Sequence, residues 1–230
     1  DVRIQTRSSP LGPVSLVAEP LATILVMTTI FSYVRMRGMD LGEYLMIFFA
    51  SAIVPLSAFR KMATGLPGVF GRNKNLMYFR GVRPFEIILM NLILNVIVVF
   101  LLFCIIIYFF VIFYDYDSRG NLILCTIPII CNGLIGVGFG VTILIVSQFF
   151  KYITTIAGTL LGPINILSGM FYTAETVPPQ ALVILQWNPL FHSTELMREI
   201  YYYEYISPMF DPYYYYGWVI GSLAVGLGLE

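Results

Sequence analysis

Six apolar runs, separated by short polar connections, follow one another along this chain. A helix needs ~20 mostly apolar residues to cross a bilayer, and several of the runs reach that length. The runs are continuous and do not alternate apolar with polar residues, which excludes a closed membrane barrel. The pattern predicts an all-α polytopic membrane protein with one transmembrane domain over 1–230. Its six predicted spans cover about 20–35, 43–61, 84–113, 121–147, 153–172 and 214–230, the last stopping early.

Two polar stretches carry short amphipathic patterns. Arg3 and Arg7 with Ile4 precede the first run, which predicts an N-terminal helix lying along the membrane interface. The longest polar connection, 62–83, is basic and includes the apolar residues 76–79, which indicates a second short interfacial helix. This basic connection has two interpretations, setting the topology and docking a cytoplasmic partner.

Between the fifth and sixth runs the chain contains two apolar pieces that are too short to cross a membrane. Pro178-Pro179 precedes the first piece, 181–187, and Asn188-Pro189 separates it from the second, 190–200. Neither piece is polar enough for an ordinary exposed loop. We therefore predict two short re-entrant or interfacial helices before the last span, within 174–212.

Composition supports the membrane assignment. Hydrophobic residues make up 58% of the chain, charged residues only 11%, and the mean hydropathy is +0.83, a balance that does not fit a soluble domain. Cys104, Cys125 and Cys131 fall inside apolar segments without a C-x-x-C spacing, so we expect them to be packing residues.

The placement of basic residues predicts the orientation. If the N-terminus is cytoplasmic, the outer segments hold only Arg35, Arg37, Arg119 and Arg198 of the 13 basic residues. The inner segments hold the other nine, and cytoplasmic segments of membrane proteins carry such an excess. Both termini are therefore predicted to be cytoplasmic, with the two short helices at the outer face. The nine are Arg3, Arg7, Arg60, Lys61, Arg72, Lys74, Arg80, Arg83 and Lys151.

The chain lacks the motif G-x-x-x-x-G-K-[S/T], so it is not expected to bind nucleotide itself. It also lacks a nucleophile–base–acid constellation, and we expect no catalytic residues, no enzyme activity and no contact with nucleic acid. The glycine-rich pieces 136–140 and 158–162 fit the small-xxx-small pattern of closely packed helices. Packing within the subunit is the main interpretation, and packing across a dimer is the alternative.

His192 is the only histidine, and Glu195 and Arg198 follow it at spacings of three, so all three share one helix face. A zinc site would need further ligands, and the sequence offers no second histidine. We therefore predict no metal site and expect a hydrogen-bonded network that holds the short helix in place.

Tyrosines crowd the chain after this helix, and they have two interpretations. One is an interfacial aromatic belt, in which amphipathic rings lie at the depth of the lipid headgroups. The other is a substrate path, in which the rings stack on sugars and the phenol groups bond sugar hydroxyls. The candidate path residues are Tyr201, Tyr202, Tyr203 and Tyr205.

Three segments, in the right order, carry a family resemblance. They are Thr6-Arg7 with Leu11-Gly12 and Glu19-Pro20; NKNLMYFRGVRPFEIIL over 73–89; and SGMFY, VPP and NPLFHSTELMRE within 168–199. Together they resemble the permease subunits of ABC-2 type exporters, within the polysaccharide-exporting branch. Capsule exporters are the most similar, and O-antigen and teichoic-acid exporters share the pattern.

The resemblance implies a homodimer of this chain with two separate ATP-binding subunits, which would hold the ATP and Mg. The cargo would be a lipid-linked polysaccharide, moved across the bacterial inner (plasma) membrane from cytoplasm to periplasm. Capsule exporters also engage periplasmic and outer-membrane polysaccharide export proteins, which are therefore further expected partners.

The resemblance also implies residue roles. An outer gate would include Pro178, Pro179, Trp187, Asn188, Pro189, His192, Glu195 and Arg198. Charge placement alone adds a steering role toward the acidic end of the glycolipid for Arg7, Arg72 and Lys74. The segment that couples to the ATPase would include Asn73, Lys74, Asn75, Leu76, Met77, Tyr78, Phe79 and Arg80.

Two other functions stay open at this point. One is an ABC-2 exporter of small hydrophobic compounds, in which the tyrosines serve only as an anchor belt. The other is a non-transporting scaffold of an envelope assembly, with which no ATPase would associate.

Overall fold

The computed structural model describes residues 12–34, 44–72, 84–117, 120–150 and 152–228. These residues form eight α-helices and one 3₁₀ turn, Ala174–Thr176, with no strand among them, so the predicted all-α class is confirmed for them. The helices are α1 (Gly12–Val34), α2 (Leu45–Arg72), α3 (Pro84–Tyr114), α4 (Thr126–Phe149), α5 (Ile153–Leu167), α6 (Pro179–Leu185), α7 (Pro189–Tyr201) and α8 (Pro212–Gly228).

Three stretches within these helices are long and apolar enough to cross a membrane. They are Leu45–Val69 in α2, Phe85–Tyr114 in α3 and Thr126–Phe149 in α4. Two shorter apolar stretches are Val17–Tyr33 in α1 and Ile153–Leu167 in α5. These lengths agree with a helical membrane protein, since ~20 residues are needed for a full span.

Helix α2 lies at the centre of the packing. It contacts α1, α3, α4, α5 and α7, and its most extensive contact is with α4. Its side chains Phe48 and Phe49 are fully buried, in a cluster that α1 and α3 complete. Helix α3 is different, because large apolar side chains such as Ile105 and Tyr108 stay exposed along it. Such a surface suits contact with lipid.

Glycines let α4 approach α2 on one side and α8 on the other. A Cβ atom on Gly136 would lie 2.5 Å from the Phe59 carbonyl oxygen, and one on Gly140 would lie 2.5 Å from another α2 carbonyl oxygen. A Cβ on Gly138 would collide with the Ser222 carbonyl group of α8. Only glycine permits these spacings. For this glycine-rich piece, packing within the subunit is confirmed.

Buried asparagines strengthen the same contacts. The Asn95 side chain donates to the Ala58 carbonyl oxygen at 2.9 Å, which ties α3 to α2. The Asn132 amide donates to the Pro55 carbonyl oxygen at 3.0 Å and accepts from the Tyr215 hydroxyl at 3.2 Å. Asn132 therefore connects α4 to both α2 and α8, as polar groups do between membrane helices.

Helix α2 is longer than its apolar run predicts. The predicted span ended at 61 and the connection 62–83 was expected to follow, but the helix continues to Arg72. Its residues after 61 include glycine and proline, yet Leu66 is only 1% exposed, because this part of the helix packs against its neighbours. Arg60 and Lys61, which were predicted to end the span at its inner side, lie inside the helix.

Other boundaries shift less. Helix α1 continues through Pro20, although its span was predicted to begin near that residue, and α5 ends at Leu167 instead of 172. Arg7, Lys74 and the predicted coupling segment 73–80 lie outside the described residues, and the Arg72 side chain is not described either.

Candidate functional site

The residues Asn188 and Pro189 begin α7 and attach it to the end of α5. The Asn188 side-chain oxygen accepts from the Leu190 N–H at 3.0 Å, an N-cap, and Pro189 occupies a first-turn position that needs no donor. The Asn188 amide also donates to Ser168 Oγ at 3.0 Å and to the Leu167 carbonyl oxygen at 3.3 Å. One side chain therefore starts α7 and holds it against α5.

A fully buried ion pair lies in the second half of α7. Arg198 and Glu195 are both 0% exposed, and Arg198 Nη1 lies 3.3 Å from Glu195 Oε1. The guanidinium also donates to the Tyr172 carbonyl oxygen at 2.6 Å and the Gly169 carbonyl oxygen at 2.7 Å. Its carbon lies 4.3 Å from the centre of the Phe48 ring, a cation–π distance. Arg198 thus joins α7 to the loop after α5 and to α2.

The second oxygen of Glu195 holds the loop that follows α7. The Tyr205 hydroxyl donates to Glu195 Oε2, and Ser207 Oγ donates to the same atom at 2.7 Å. Burial and the adjacent carboxylate raise the pKa of the Tyr205 phenol, so this group keeps its proton and remains a donor. Both carboxylate oxygens are therefore hydrogen-bonded, which a buried charge requires.

The loop after α5 is shaped to present backbone carbonyl groups to α7. Gly169 has a φ of +77°, and a Cβ there would lie 3.0 Å from the Phe191 ring. Both observations require glycine at this position. The Thr194 hydroxyl donates to the Ser168 carbonyl oxygen at 2.7 Å, beside the two carbonyl groups that Arg198 binds. The loop and α7 form one hydrogen-bonded unit.

His192 bridges the end of α6 and the start of α8. Its Nδ1 accepts from the Asp211 N–H at 3.2 Å, so its ring proton is on Nε2, which lies 2.8 Å from the Gln186 carbonyl oxygen. The Tyr214 ring lies 5.0 Å from the imidazole ring. Burial lowers the pKa of His192, although the Gln186 carbonyl and the Asp211 carboxylate act in the opposite direction. The imidazole is therefore neutral in the folded protein.

This neutrality predicts a pH dependence. An unfolded histidine has a pKa near ~6.5 and takes up a proton more readily than folded His192. The stabilisation that this group contributes is therefore complete at pH values above the pKa of the unfolded state. It is lost as the pH falls toward the lower pKa of His192 in the folded protein. His192→Gln removes the titration, so its melting temperature should fall less than that of the wild type between pH 7.5 and 5.5. Equal falls in both proteins would contradict the assignment.

The cluster is built to hold helices together. Glu195, Arg198 and both ring nitrogens of His192 make hydrogen bonds inside the chain. Among the residues that the structure describes, no group of three His, Cys, Asp or Glu side chains is placed to hold a metal ion. We call the unit formed by 168–173, α7, 202–207 and the start of α8 the α7 brace. Its hydrogen bonds hold α7 against the neighbouring segments, the kind of network that the spacing of His192, Glu195 and Arg198 predicted.

Comparison with known protein families shows what kind of protein carries this brace. The family model described as ABC-2 type transporter matches residues 1–202, which includes the helices α1 to α7. The chain belongs to the ABC-2 type transporter family. Its long apolar helices are accordingly those of a transporter membrane subunit.

Several curated proteins align with this ABC-2 transporter chain over most of its length. The polysialic acid transport protein KpsM of Escherichia coli is 25% identical over 232 residues, covering 100% of this chain and 88% of KpsM. The capsule polysaccharide export inner-membrane protein CtrC of Neisseria meningitidis is 22% identical, covering 89% of this chain and 77% of CtrC. The Haemophilus influenzae protein BexB, with the same description, is 24% identical, covering 81% and 70%.

Within this ABC-2 transporter the predicted gate residues extend from Pro178 and Pro179, at the start of α6, to Arg198 in α7. Asn188, His192, Glu195 and Arg198 contribute to the α7 brace by the bonds above. Trp187 is different, because the residue is 69% exposed while its carbonyl oxygen accepts from the Tyr214 hydroxyl at 2.6 Å. The structure thus assigns a position to each residue, and their action as a gate stays a prediction.

The four candidate path tyrosines occupy different environments. Tyr201 and Tyr205 are 2% and 3% exposed, and their rings belong to the interior of the chain. Tyr202 is half-buried, with its ring 5.1 Å from that of Tyr201. Only Tyr203, 84% exposed, presents a ring outward. As a group the four therefore do not form a continuous stacking surface within this chain.

Accessible aromatic rings instead surround a cavity beside α6. It has a volume of about 570 Å³ and its lining includes Trp187, Phe210, Asp211 and Tyr214. Sequence reasoning missed this grouping because the residues come from two segments that only the fold brings together. It likewise missed the bonds from Tyr205 and Ser207 to Glu195, for which no spacing rule exists.

Proposed function

We propose that this chain is the membrane subunit of an ATP-driven exporter of a lipid-linked, capsular polysaccharide, which it moves from the cytoplasm to the periplasm. The observation that carries the proposal is its full-length alignment with KpsM, named for polysialic acid transport. CtrC and BexB, named for capsule polysaccharide export, align over most of the chain as well. The family membership supports a transporter subunit in place of an envelope scaffold.

The proposed assembly contains two copies of this chain and two ATP-binding subunits in the bacterial inner membrane. ATP and Mg would bind only to those partner subunits, and periplasmic and outer-membrane export proteins would receive the glycan. Helices α1 to α5 and α8 would be the six spans, with both termini in the cytoplasm. Helices α6 and α7 would form the re-entrant cap at the outer face.

Coupling would run from the ATPase through residues 73–80 to the helices. The α7 brace supports this idea, because its buried ion pair is hydrogen-bonded to several neighbouring segments, and such a network is rigid. Arg7, Arg72 and Lys74 would attract the acidic end of the glycolipid at the inner face. Replacing these three residues with glutamine should slow export while the yield of the complex is maintained. Unchanged export would reject the steering role.

Affinity purification of the tagged chain from its own cells tests the proposed function. An ATP-binding subunit should co-purify, and its ATP hydrolysis should increase when lipid-linked glycan is added. Replacing Tyr78 and Phe79 with aspartate should release the ATPase while the chain still inserts in the membrane. Stimulation by small hydrophobic compounds, but not by glycan, would favour the second kind of exporter. An intact chain purified without any ATPase would favour the scaffold.

A further inference from the structure

A group of charged side chains lies within the apolar part of α1 and α2. At ~1.5 Å per residue, Arg60 is roughly 22 Å along α2 from Leu45 and roughly 14 Å before Val69, the end of the apolar stretch. Lys61 is its neighbour, and Glu19 lies in the apolar stretch of α1. Ionisable side chains at such depth are costly, so they are expected to face protein or water and to serve a function.

The charges are paired with one another but are not enclosed by the chain. Arg60 Nη1 lies 3.6 Å from Glu19 Oε1, and these two side chains keep 43% and 57% of their surface exposed. Lys61 is half-buried, and the Glu19 carboxylate attracts its ammonium group. Among the described residues, this group of two cations and one carboxylate carries one net positive charge. Lipid tails do not solvate such a charge, so we expect this face of α1 and α2 to border water or protein.

A cavity opens at this charged group. Its volume is about 40 Å³, and it lies between α1, α2, α5 and the loop after α5. Asn165 of α5 lines it, and its side-chain oxygen is buried without a hydrogen-bond partner among the described residues. A buried acceptor of this kind needs a donor, such as a ligand hydroxyl group. Glu19, Arg60 and Lys61 line the same cavity.

We propose that Arg60 and Lys61, with Glu19 and Asn165, bind an anionic group of the exported polymer on its way through the membrane. The group is a carboxylate or phosphate, whose oxygens match the guanidinium and ammonium donors. After a rotation of its side chain, Asn165 accepts from a neighbouring hydroxyl group of the same polymer. Glu19 holds Arg60 in place between passages and limits the affinity, so that the anion can leave. This inference rests on the proposed function.

The net charge separates this site from a simple helix latch. A latch here means an ion pair between Glu19 and Arg60 that only holds α1 against α2. Removing either side chain would then have the same effect on the exporter. In an anion site the two substitutions change the affinity for the anion in opposite directions. Removing the charge of Glu19 makes the site more positive, and removing the charge of Arg60 or Lys61 makes it less positive. The cavity and the unsatisfied Asn165 acceptor favour the site, since a latch needs neither.

The experiment uses the complete exporter with its ATPase in lipid nanodiscs and measures ATP hydrolysis against probe concentration. The full lipid-linked glycan is the reference probe. A sialic acid oligomer without lipid and undecaprenyl phosphate without glycan test the two sources of the anion, and a neutral dextran oligomer is the control. Arg60→Gln and Lys61→Gln should raise the half-stimulating concentration of the lipid-linked glycan roughly tenfold or more. Arg60→Lys and Lys61→Arg should stay within about threefold of the wild type.

Glu19→Gln should leave that concentration unchanged or lower it, and Glu86→Gln, on α3, is its matched control. Lys151→Gln, between α4 and α5, is the matched control for the cations. If the cation variants raise the half-stimulating concentration of the sialic acid oligomer by the same factor, the site binds glycan carboxylates. If they do so for undecaprenyl phosphate, the site binds the lipid phosphate. The monodispersity and melting temperature of each variant show whether it folds. Where a glutamine variant does not fold, Arg60→Lys or Lys61→Arg together with Glu19→Gln tests the site instead.

Three results would overturn the inference while the proposed function stands. Wild type and Arg60→Gln could respond identically to the lipid-linked glycan. Glu19→Gln could weaken the response as much as Arg60→Gln does, which identifies a latch. Arg60→Gln could separate the two copies of the chain in size-exclusion chromatography with light scattering, which identifies a subunit contact. If the lipid-linked glycan does not stimulate the wild type at all, the proposed function itself fails.

Discussion

Replacing Arg198 with methionine should lower the unfolding free energy by about 3–5 kcal/mol, the effect of removing one partner from a buried ion pair. Methionine fills most of the space but leaves the Glu195 charge buried and unpaired by a cation. It also leaves the Gly169 and Tyr172 carbonyl groups without the donors they have now. For a chain of this size the loss corresponds to a fall on the order of 10 °C in melting temperature. Thermal denaturation of the purified exporter measures it.

Two further variants show which part of the interaction matters. Glu199→Gln changes the next residue, which is half-buried, and should stay within about 0.5 kcal/mol of the wild type. The double variant Glu195→Gln with Arg198→Met removes both charges and should recover part of the loss. An Arg198→Met protein as stable as the wild type would contradict the role of the α7 brace.

The second large effect is expected at the glycines of α4. Alanine at Gly136 would place a methyl group 2.5 Å from the Phe59 carbonyl oxygen, and alanine at Gly138 would collide with the Ser222 carbonyl group. Backbone atoms cannot move aside as side chains do, so the helices must separate. Each substitution should cost about 1–3 kcal/mol, as overpacking does in well-packed cores. Melting temperature and the monodisperse yield measure this loss.

The second glycine-rich piece provides the matched control. A Cβ on Gly158 or Gly162 would meet no atom of the described residues within 4 Å. Alanine at either position should therefore be neutral or should stabilise α5 by up to ~1 kcal/mol through its higher helix propensity. If these substitutions are as harmful as those in α4, the piece packs against a second copy of the chain, the alternative interpretation for these glycines.

Much of the helical framework was predictable because apolar runs and proline act locally. The span predicted from 84 matches α3 closely, and Asn188-Pro189 marked the start of α7, since a capping side chain and a first-turn proline are local signals. The shared face of His192, Glu195 and Arg198 followed from helical periodicity. A hydrogen-bonded network on that face was predicted, but the residues that complete it, such as Tyr205 and Gly169, were not.

What could not be predicted depends on contacts between distant segments. Glycine and proline after 61 were interpreted as a loop, but packing of residues such as Leu66 keeps α2 helical to its end. Tyr203 and Tyr205 are alike in sequence, yet one is exposed and the other bonds Glu195. Arg60 was interpreted as the end of a span. Its ion pair with Glu19 became visible only in the fold, which brings α1 beside α2.

The central claim is that this chain forms the passage for a lipid-linked polysaccharide, and transport itself tests it most directly. Inverted membrane vesicles that contain the chain and its ATPase would receive radiolabelled lipid-linked capsular glycan on the outside. With ATP and Mg, the glycan should become protected from an added glycan-degrading enzyme, and a partner ATPase that cannot hydrolyse ATP should abolish the protection. Glycan that stays fully accessible, while the same vesicles hydrolyse ATP in response to it, would contradict the claim.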